Sequence, residues 1–179
     1  MIRKQNRDRE GADFVTLIPK GTNIMRIPKF LMLASILAVP ALAGTPPAGP
    51  CSLLTKAEVQ EAVGTPVSEG VINKINKTVC DFSVGDLGSA VSIMLTGKIP
   101  GDSAEKTVAE LKKQKIAAQV VSGFGDSAYS SSPGYNMQQL GVYKASSHVI
   151  VTVLLLGAND AKSKKVAEAV MTKALVRLR

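Results

Sequence analysis

The stretch Val149-Ile-Val-Thr-Val-Leu-Leu-Leu156 decides the fold. Apart from Thr152, both alternating sets of positions are apolar, so the segment offers no solvent face as a strand. A strand of this kind sits in the middle of a sheet and is covered on both sides. Gly157 breaks it, and Asn159 or Asp160 then caps a final helix with Ala167, Val170, Met171, Ala174 and Leu178 on one side.

Working outward, the chain before this strand is punctuated in the same readable way. Thr55-Lys-Ala-Glu58 is a capping box, in which the Thr55 hydroxyl and the Glu58 carboxylate satisfy each other's backbone donors. Leu54 and Val59 occupy the staple positions, Gly64 ends the helix and Pro66 stops it from resuming. Strands are predicted at Val67–Ile75, Thr78–Val84 and Ala90–Leu95, with turns at 73–77 and 85–88 between them. A second helix begins near Asp102, with Ala104, Val108 and Leu111 at helical spacing and Lys112, Lys113 and Lys115 at its end. Residues 116–122 and 137–144 read as two further strands. Helix, strands, helix, strands, helix is the order of an α+β sandwich: a mostly antiparallel sheet with three helices packed on it.

The N-terminal quarter of the 179 residues reads differently. Arg26 and Lys29 precede an apolar run from Phe30 to Val39, Pro40 ends it, and Ala41-Leu-Ala43 is a small-x-small cleavage site. Residues 25–43 are therefore expected to be a secretory signal, too short in apolar length to be a membrane anchor. The charged, aperiodic residues 1–24 read as a start-site extension, with translation beginning at Met25. Residues 44–50 are a Pro/Gly lead, and residues 51–179 make one domain, secreted or periplasmic after cleavage near Ala43. The formal charge of +8 shrinks accordingly. Residues 160–179 hold six basic and two acidic groups, while the stretch from 44 to 159 is balanced. An exported chain without aromatics interleaved among its basic residues does not suit nucleic acid.

Composition narrows the chemistry further. Cys51 and Cys80 travel together into an oxidising compartment, so a disulfide is the default reading. A redox pair is the alternative, although the spacing is unlike Cys-x-x-Cys. The one histidine, His148, opens a hydrophobic strand and has neither a second His nor a free Cys for a zinc site, so no metal or cofactor is expected. Gly101-Asp-Ser-Ala104 and Gly125-Asp-Ser-Ala128 contain a string found around some serine nucleophiles. Ser103 and Ser127 nevertheless lack an oriented base, so a serine hydrolase is the least favoured reading and no catalytic residue is assigned. Asp102 is expected to cap a helix and Asp126 to close a turn. Phe124, Tyr129 and Tyr135, with Tyr143 nearby, concentrate the aromatics around one Gly/Ser-rich region, the candidate lining of a small ligand pocket. Lys162, Lys164, Lys165, Lys173, Arg177 and Arg179 on the last helix are the candidate adhesive face of an envelope assembly protein.

Two strings carry a resemblance. Cys51-Ser-Leu-Leu-Thr-Lys-Ala-Glu-Val-Gln-Glu-Ala-Val-Gly-Thr-Pro-Val67 resembles the opening of a group of exported bacterial proteins of unknown function. Gly123-Phe-Gly-Asp-Ser-Ala-Tyr129 is similar to the Gly-x-Gly-Asp-x-Ala-Tyr segment that precedes their last hairpin. The layout is more loosely similar to PsbP-like folds and to extracellular sensor domains of bacterial Ser/Thr kinases. The resemblance implies a binding or assembly module for a small ligand or an envelope component, without a catalytic residue to carry over.

Overall fold

Thr55 starts α1 (Lys56–Val63) as the capping box requires. Its hydroxyl accepts from the Glu58 N–H at 3.3 Å, and the Glu58 carboxylate accepts from the Thr55 N–H at 2.8 Å. Gly64 closes the helix in the left-handed region (φ 82°), where a Cβ would be strained. A 3-10 turn at Pro50–Leu53 leads into it. This computed structural model describes residues 49–85 and 88–178. The stretches expected to be a signal (25–43) and a start-site extension (1–24), most of the Pro/Gly lead (44–48) and Arg179 lie outside the described residues.

Seven antiparallel strands follow: β1 (Val71–Ile72), β2 (Val79–Val84), β3 (Ser89–Gly97), β4 (Ala117–Val121), β5 (Ser127–Gly134), β6 (Met137–Lys144) and β7 (Ser147–Leu154). Two more helices complete the chain, α2 (Ala104–Lys113) and α3 (Asp160–Arg177). The sheet order is β1-β2-β3-β7-β6-β5-β4, so β7 is central, as its double apolar pattern demands. Five of the six pairings are between consecutive strands. The β3–β7 pairing is the long-range one, running from Ala90↔Leu154 to Gly97↔Ser147. Because β3 and β4 stand far apart in the sheet, α2 crosses one face to connect them.

The two faces are unequal. Cys80, Phe82, Val91, Ile93, Leu140, Val142, Val149, Val151 and Val153 all point to one side and are fully or almost fully buried. There they meet Val59 and Val63 of α1 and Val166, Val170, Met171 and Ala174 of α3. Burial of this set is the main source of stability, at roughly 25 cal/mol per Å² of apolar surface. The Lys144 ammonium donates to the carbonyls of Leu175 (2.8 Å) and Leu178 (2.6 Å), holding the C-terminal end of α3 to β6. On the other face α2 contributes Ala104 and Val108 to a smaller cluster with Tyr129 and Tyr143.

Several sequence-based expectations change. β1 is two residues long, not the run 67–75; only an isolated bridge, Val67↔Val84, precedes it. The Asn73 side chain accepts from the N–H groups of Ile75 and Asn76 at 2.9 and 3.0 Å, turning the chain before a long strand can form. The N-cap of α2 is Ser103, not Asp102. β5 was hidden in the sequence by its Ser, Pro and Gly content, which is poor in strand formers. Most consequentially, β7 is covered on one side only: Ile150, Thr152 and Leu154 are half-buried and have no described helix over them.

Arg177 ties the last helix to the first. Its guanidinium donates to the Leu53 carbonyl and to the Glu58 carboxylate, both at 2.9 Å. Partial burial pushes the Glu58 carboxyl up, but the hydrogen bonds from Arg177 and Thr55 and the Arg177 charge outweigh it and hold it at about 2. A carboxylate depressed in the folded state stabilises above its ordinary value of 4.5 and loses that contribution as pH falls towards about 2. Arg177→Met should therefore cost about 1–2 kcal/mol at neutral pH. In urea titrations across the acid range the variant should also lose less further stability than the parent between pH 4.5 and 2.

Candidate functional site

Strand pleating alone explains how a polar line is laid across the open face. Asp81, Ser92, Thr152, Gln139 and Ser131 are register partners on β2, β3, β7, β6 and β5, so all five side chains emerge on the same side. Hydrogen bonds join them in two groups, one around Asp81 and one around Gln139. The Ser92 hydroxyl donates to Asp81 Oδ1 at 2.7 Å, and the Asn73 amide donates to Asp81 Oδ2 at 2.7 Å. The Gln139 amide donates to the Thr152 hydroxyl oxygen, and the Ser131 hydroxyl donates to Gln139 Oε1, both at 3.2 Å. Apolar rows flank this line: Val79, Met94 and Ile150 on one side, Ala90, Leu154 and Met137 on the other, all only half-buried.

At one corner of the same face α2 covers an aromatic group. The Tyr129 ring lies directly over Gly141 of the neighbouring strand, the space a Cβ there would occupy. Tyr143 and His148 are stacked, with ring centres 4.1 Å apart and planes within 13°. The Tyr129 hydroxyl lies 3.3 Å from His148 Nε2, and the Tyr143 hydroxyl shares a 2.8 Å hydrogen bond with Thr107 of α2. The Lys98 ammonium stands 5.6 Å from the centre of the Tyr143 ring. Tyr129 and Tyr143 are almost wholly buried, so this is a packed minor core and not an open pocket. Burial pushes the Tyr129 phenol up and the His148 imidazole down, the latter partly opposed by the Asp102 carboxylate.

Burial thus favours the neutral ring of His148 in the folded protein. Its stabilising contribution is complete above the ordinary value of 6.5 and is lost as pH falls below it. Since the chain has one histidine, its ring resonances can be followed without ambiguity. The proton titration followed by NMR should have a midpoint below 6.5. A midpoint at or above that value would mean the ring is not desolvated by Tyr129, Tyr143 and α2.

The three aromatics marked in the sequence are not brought together. Tyr129 sits under α2, Phe124 packs against the main core on the other face, and Tyr135 is at the β5–β6 hairpin tip, 93% exposed. Tyr143, His148 and Thr107 join Tyr129 instead. Register is the signal that finds them, because Tyr143 pairs with His148 across a hairpin.

Both Gly-Asp-Ser strings serve structure, and they meet. Ser103 caps α2 by accepting from the Lys106 N–H, and the Ser127 hydroxyl accepts from the Ala104 N–H, each at 3.4 Å. The Asp126 carboxylate accepts from the Ala145 N–H at 2.7 Å, bracing the β6–β7 turn. Cys51 and Cys80 form a disulfide, tying the 3-10 turn before α1 to β2. Among the described residues no cluster of three or more His, Cys, Asp or Glu is arranged to hold a metal ion. Among them, too, no helix is long and apolar enough to cross a membrane. On the last helix Lys173 pairs with Glu61 at 3.4 Å and Lys164 with Glu168 at 3.9 Å, so with Arg177 half of the candidate basic face is engaged within the fold.

Compared with protein-family models, with curated proteins and with solved structures, the chain has no match in any of the three.

Proposed function

We propose that this chain is an exported, non-catalytic domain that binds a protein partner of the cell envelope through the open face of its sheet. The observation that carries this reading is the half-exposed side of the central strand. Ile150 and Leu154, with Met94 and Met137 beside them, form apolar rows on a face that β7's own sequence equips for cover. The polar line between those rows supplies donors and acceptors at fixed spacing, suited to register a partner. Val71, at 58% exposure, and Leu156, at 55%, extend the apolar surface at the rim.

A macromolecular partner is favoured over a small ligand because the clefts are shallow and the aromatic cluster is closed. Five strands and three side-chain rows span roughly 500 Å². That is less than the ~800 Å² per partner of a standard interface, which makes the rim residues part of the contact and argues against simple stacking of two copies. The disulfide and the resemblance to exported bacterial proteins support an extracytoplasmic location, with residues 25–43 as the signal that directs it. The hydrogen bonds already made by Ser103 and Ser127 weigh against hydrolase chemistry. The ion pairs of Lys173 and Arg177 weigh against an adhesive basic helix.

Photo-crosslinking in the producing cell tests the assignment. A benzophenone amino acid at Met94 or Thr152 should give one discrete adduct, absent when the same group stands at the exposed Thr172 on α3. Ile150→Glu should abolish the adduct while leaving the melting temperature within a few degrees. Equal labelling from all three positions, or none, would overturn the reading. An adduct of twice the chain's own mass would replace the partner by a second copy.

A further inference from the structure

The two edges of the sheet are unlike. β1 is two residues long, and the turn after it carries Lys74 and Lys77. Short edges with lysines nearby are a usual protection against strand addition. β4 is longer, running for five residues, Ala-Ala-Gln-Val-Val, with no charge and no proline within it, and the lysines beside it stand at its first end only. Its inner side pairs with β5 from Ala117↔Ser132 to Val121↔Ala128. The backbone groups that alternate outward have no partner among the described residues. Ala117 and Ala118 leave this backbone uncluttered, and Val120 is 47% exposed.

Chemistry beside the edge indicates what would pair with it. A cleft of about 370 Å³ runs along the start of β4, lined by Ser130, Ser131, Ser132 and Gln138 and bordered by Lys112 of α2 and Lys164 of α3. Hydroxyls, a carboxamide and two ammonium groups line it, and no carboxylate does. Lys113 and Lys115 add positive charge at the same end, where the nearest offsets are Glu110, 2.7 Å from Lys113, and Glu168, 3.9 Å from Lys164.

We propose that β4 is a docking edge for an extended acidic segment of a partner protein, which adds to the sheet as a further strand and places its carboxylates against Lys112 and Lys164. Backbone pairing supplies the geometry and the lysines select the sign of charge. A second copy is disfavoured as the occupant, because β4 itself carries no carboxylate to set against Lys112 and Lys164. This edge meets the open face at Ser131, but strand addition along β4 does not depend on that face being occupied.

The test uses the full chain and a defined probe, the blocked peptide Glu-Thr-Glu-Val-Glu-Thr-Glu, with Lys-Thr-Lys-Val-Lys-Thr-Lys as its counterpart. The acidic peptide should slow amide exchange at residues 117–121 and bind at least about tenfold more tightly than the basic one, weakening as salt is raised. Lys112→Glu combined with Lys164→Glu should lose about tenfold or more in affinity, whereas Lys165→Glu, outside this cleft, should change it less than about twofold. Far-ultraviolet circular dichroism and melting curves confirm that the variants fold. Equal binding of the two peptides, or no protection at 117–121, would overturn the proposal. So would protection that appears without peptide and grows with protein concentration, which would give the edge to a second copy.

Discussion

Replacing Cys51 and Cys80 together by Ala is expected to destabilise the domain by about 3.5 kcal/mol, the chain-entropy value for a loop of this length. The bridge closes a separation of 29 residues that contains all of α1, β1 and the turn after it. β1 is held by two register pairs, so little else restrains this segment from the outer side of the sheet. Cys80 is fully buried beside Phe82, and a Cβ added at Gly70 would come within 2.9 Å of its sulfur. The sulfur therefore fills space as well as crosslinking, and its loss leaves a small cavity. For a domain of this size the melting temperature should fall by about 10–20 °C, taking the usual few degrees per kcal/mol. Reduction of the parent protein should reproduce the shift. An unchanged melting temperature on full reduction would show that Leu53, Leu54, Val59 and Val63 anchor the first helix without help.

Gly141→Ala should be the second most damaging change, at about 2–3 kcal/mol, the upper part of the range for overpacking a filled site. The added methyl would stand where the Tyr129 ring now lies, against its Cε1, Cζ and hydroxyl. That ring cannot retreat: it is 3% exposed, with Ala104 and Val108 of α2 above it and the sheet below. Displacing it also separates its hydroxyl from His148 and disturbs the stacked Tyr143–His148 pair. A melting shift of about 10 °C corresponds to this cost. Tyr129→Leu is itself destabilising through lost packing, yet combined with Gly141→Ala it should cost less than the two changes added. A coupling of about 1 kcal/mol or more in that double-mutant cycle is the diagnostic result. Strict additivity would show that the ring does not cover the glycine.

These two changes mark where the sequence can be read and where it cannot. The disulfide follows from two cysteines in a chain read as exported, and α1 follows from a capping box whose four residues are contiguous. The Tyr129–Gly141 contact depends on β5, a strand whose Ser-Ser-Ser-Pro-Gly run carries no strand propensity of its own. Its place comes from β4 and β6 on either side, a long-range effect that local pattern does not record. For the same reason Phe124, Tyr129 and Tyr135, close in sequence, are spread over two faces and a hairpin tip. Tyr143 and His148, joined to Tyr129 by register, make the actual cluster.

By itself the sequence determined the α+β class, the central position of the strand at Val149, the capped first helix and the Cys51–Cys80 bridge. Each of these rests on residues adjacent in the chain or on composition, where the physics is local. Tertiary structure alone decided that α2 crosses to the far edge, so that half of one sheet face and the β4 edge are left without cover. Coverage depends on which strands pair, and the pairing of β3 with β7 joins residues fifty or more positions apart. An apolar strand announces only that both of its sides want a neighbour. Whether the chain supplies that neighbour is settled by the route of its connections.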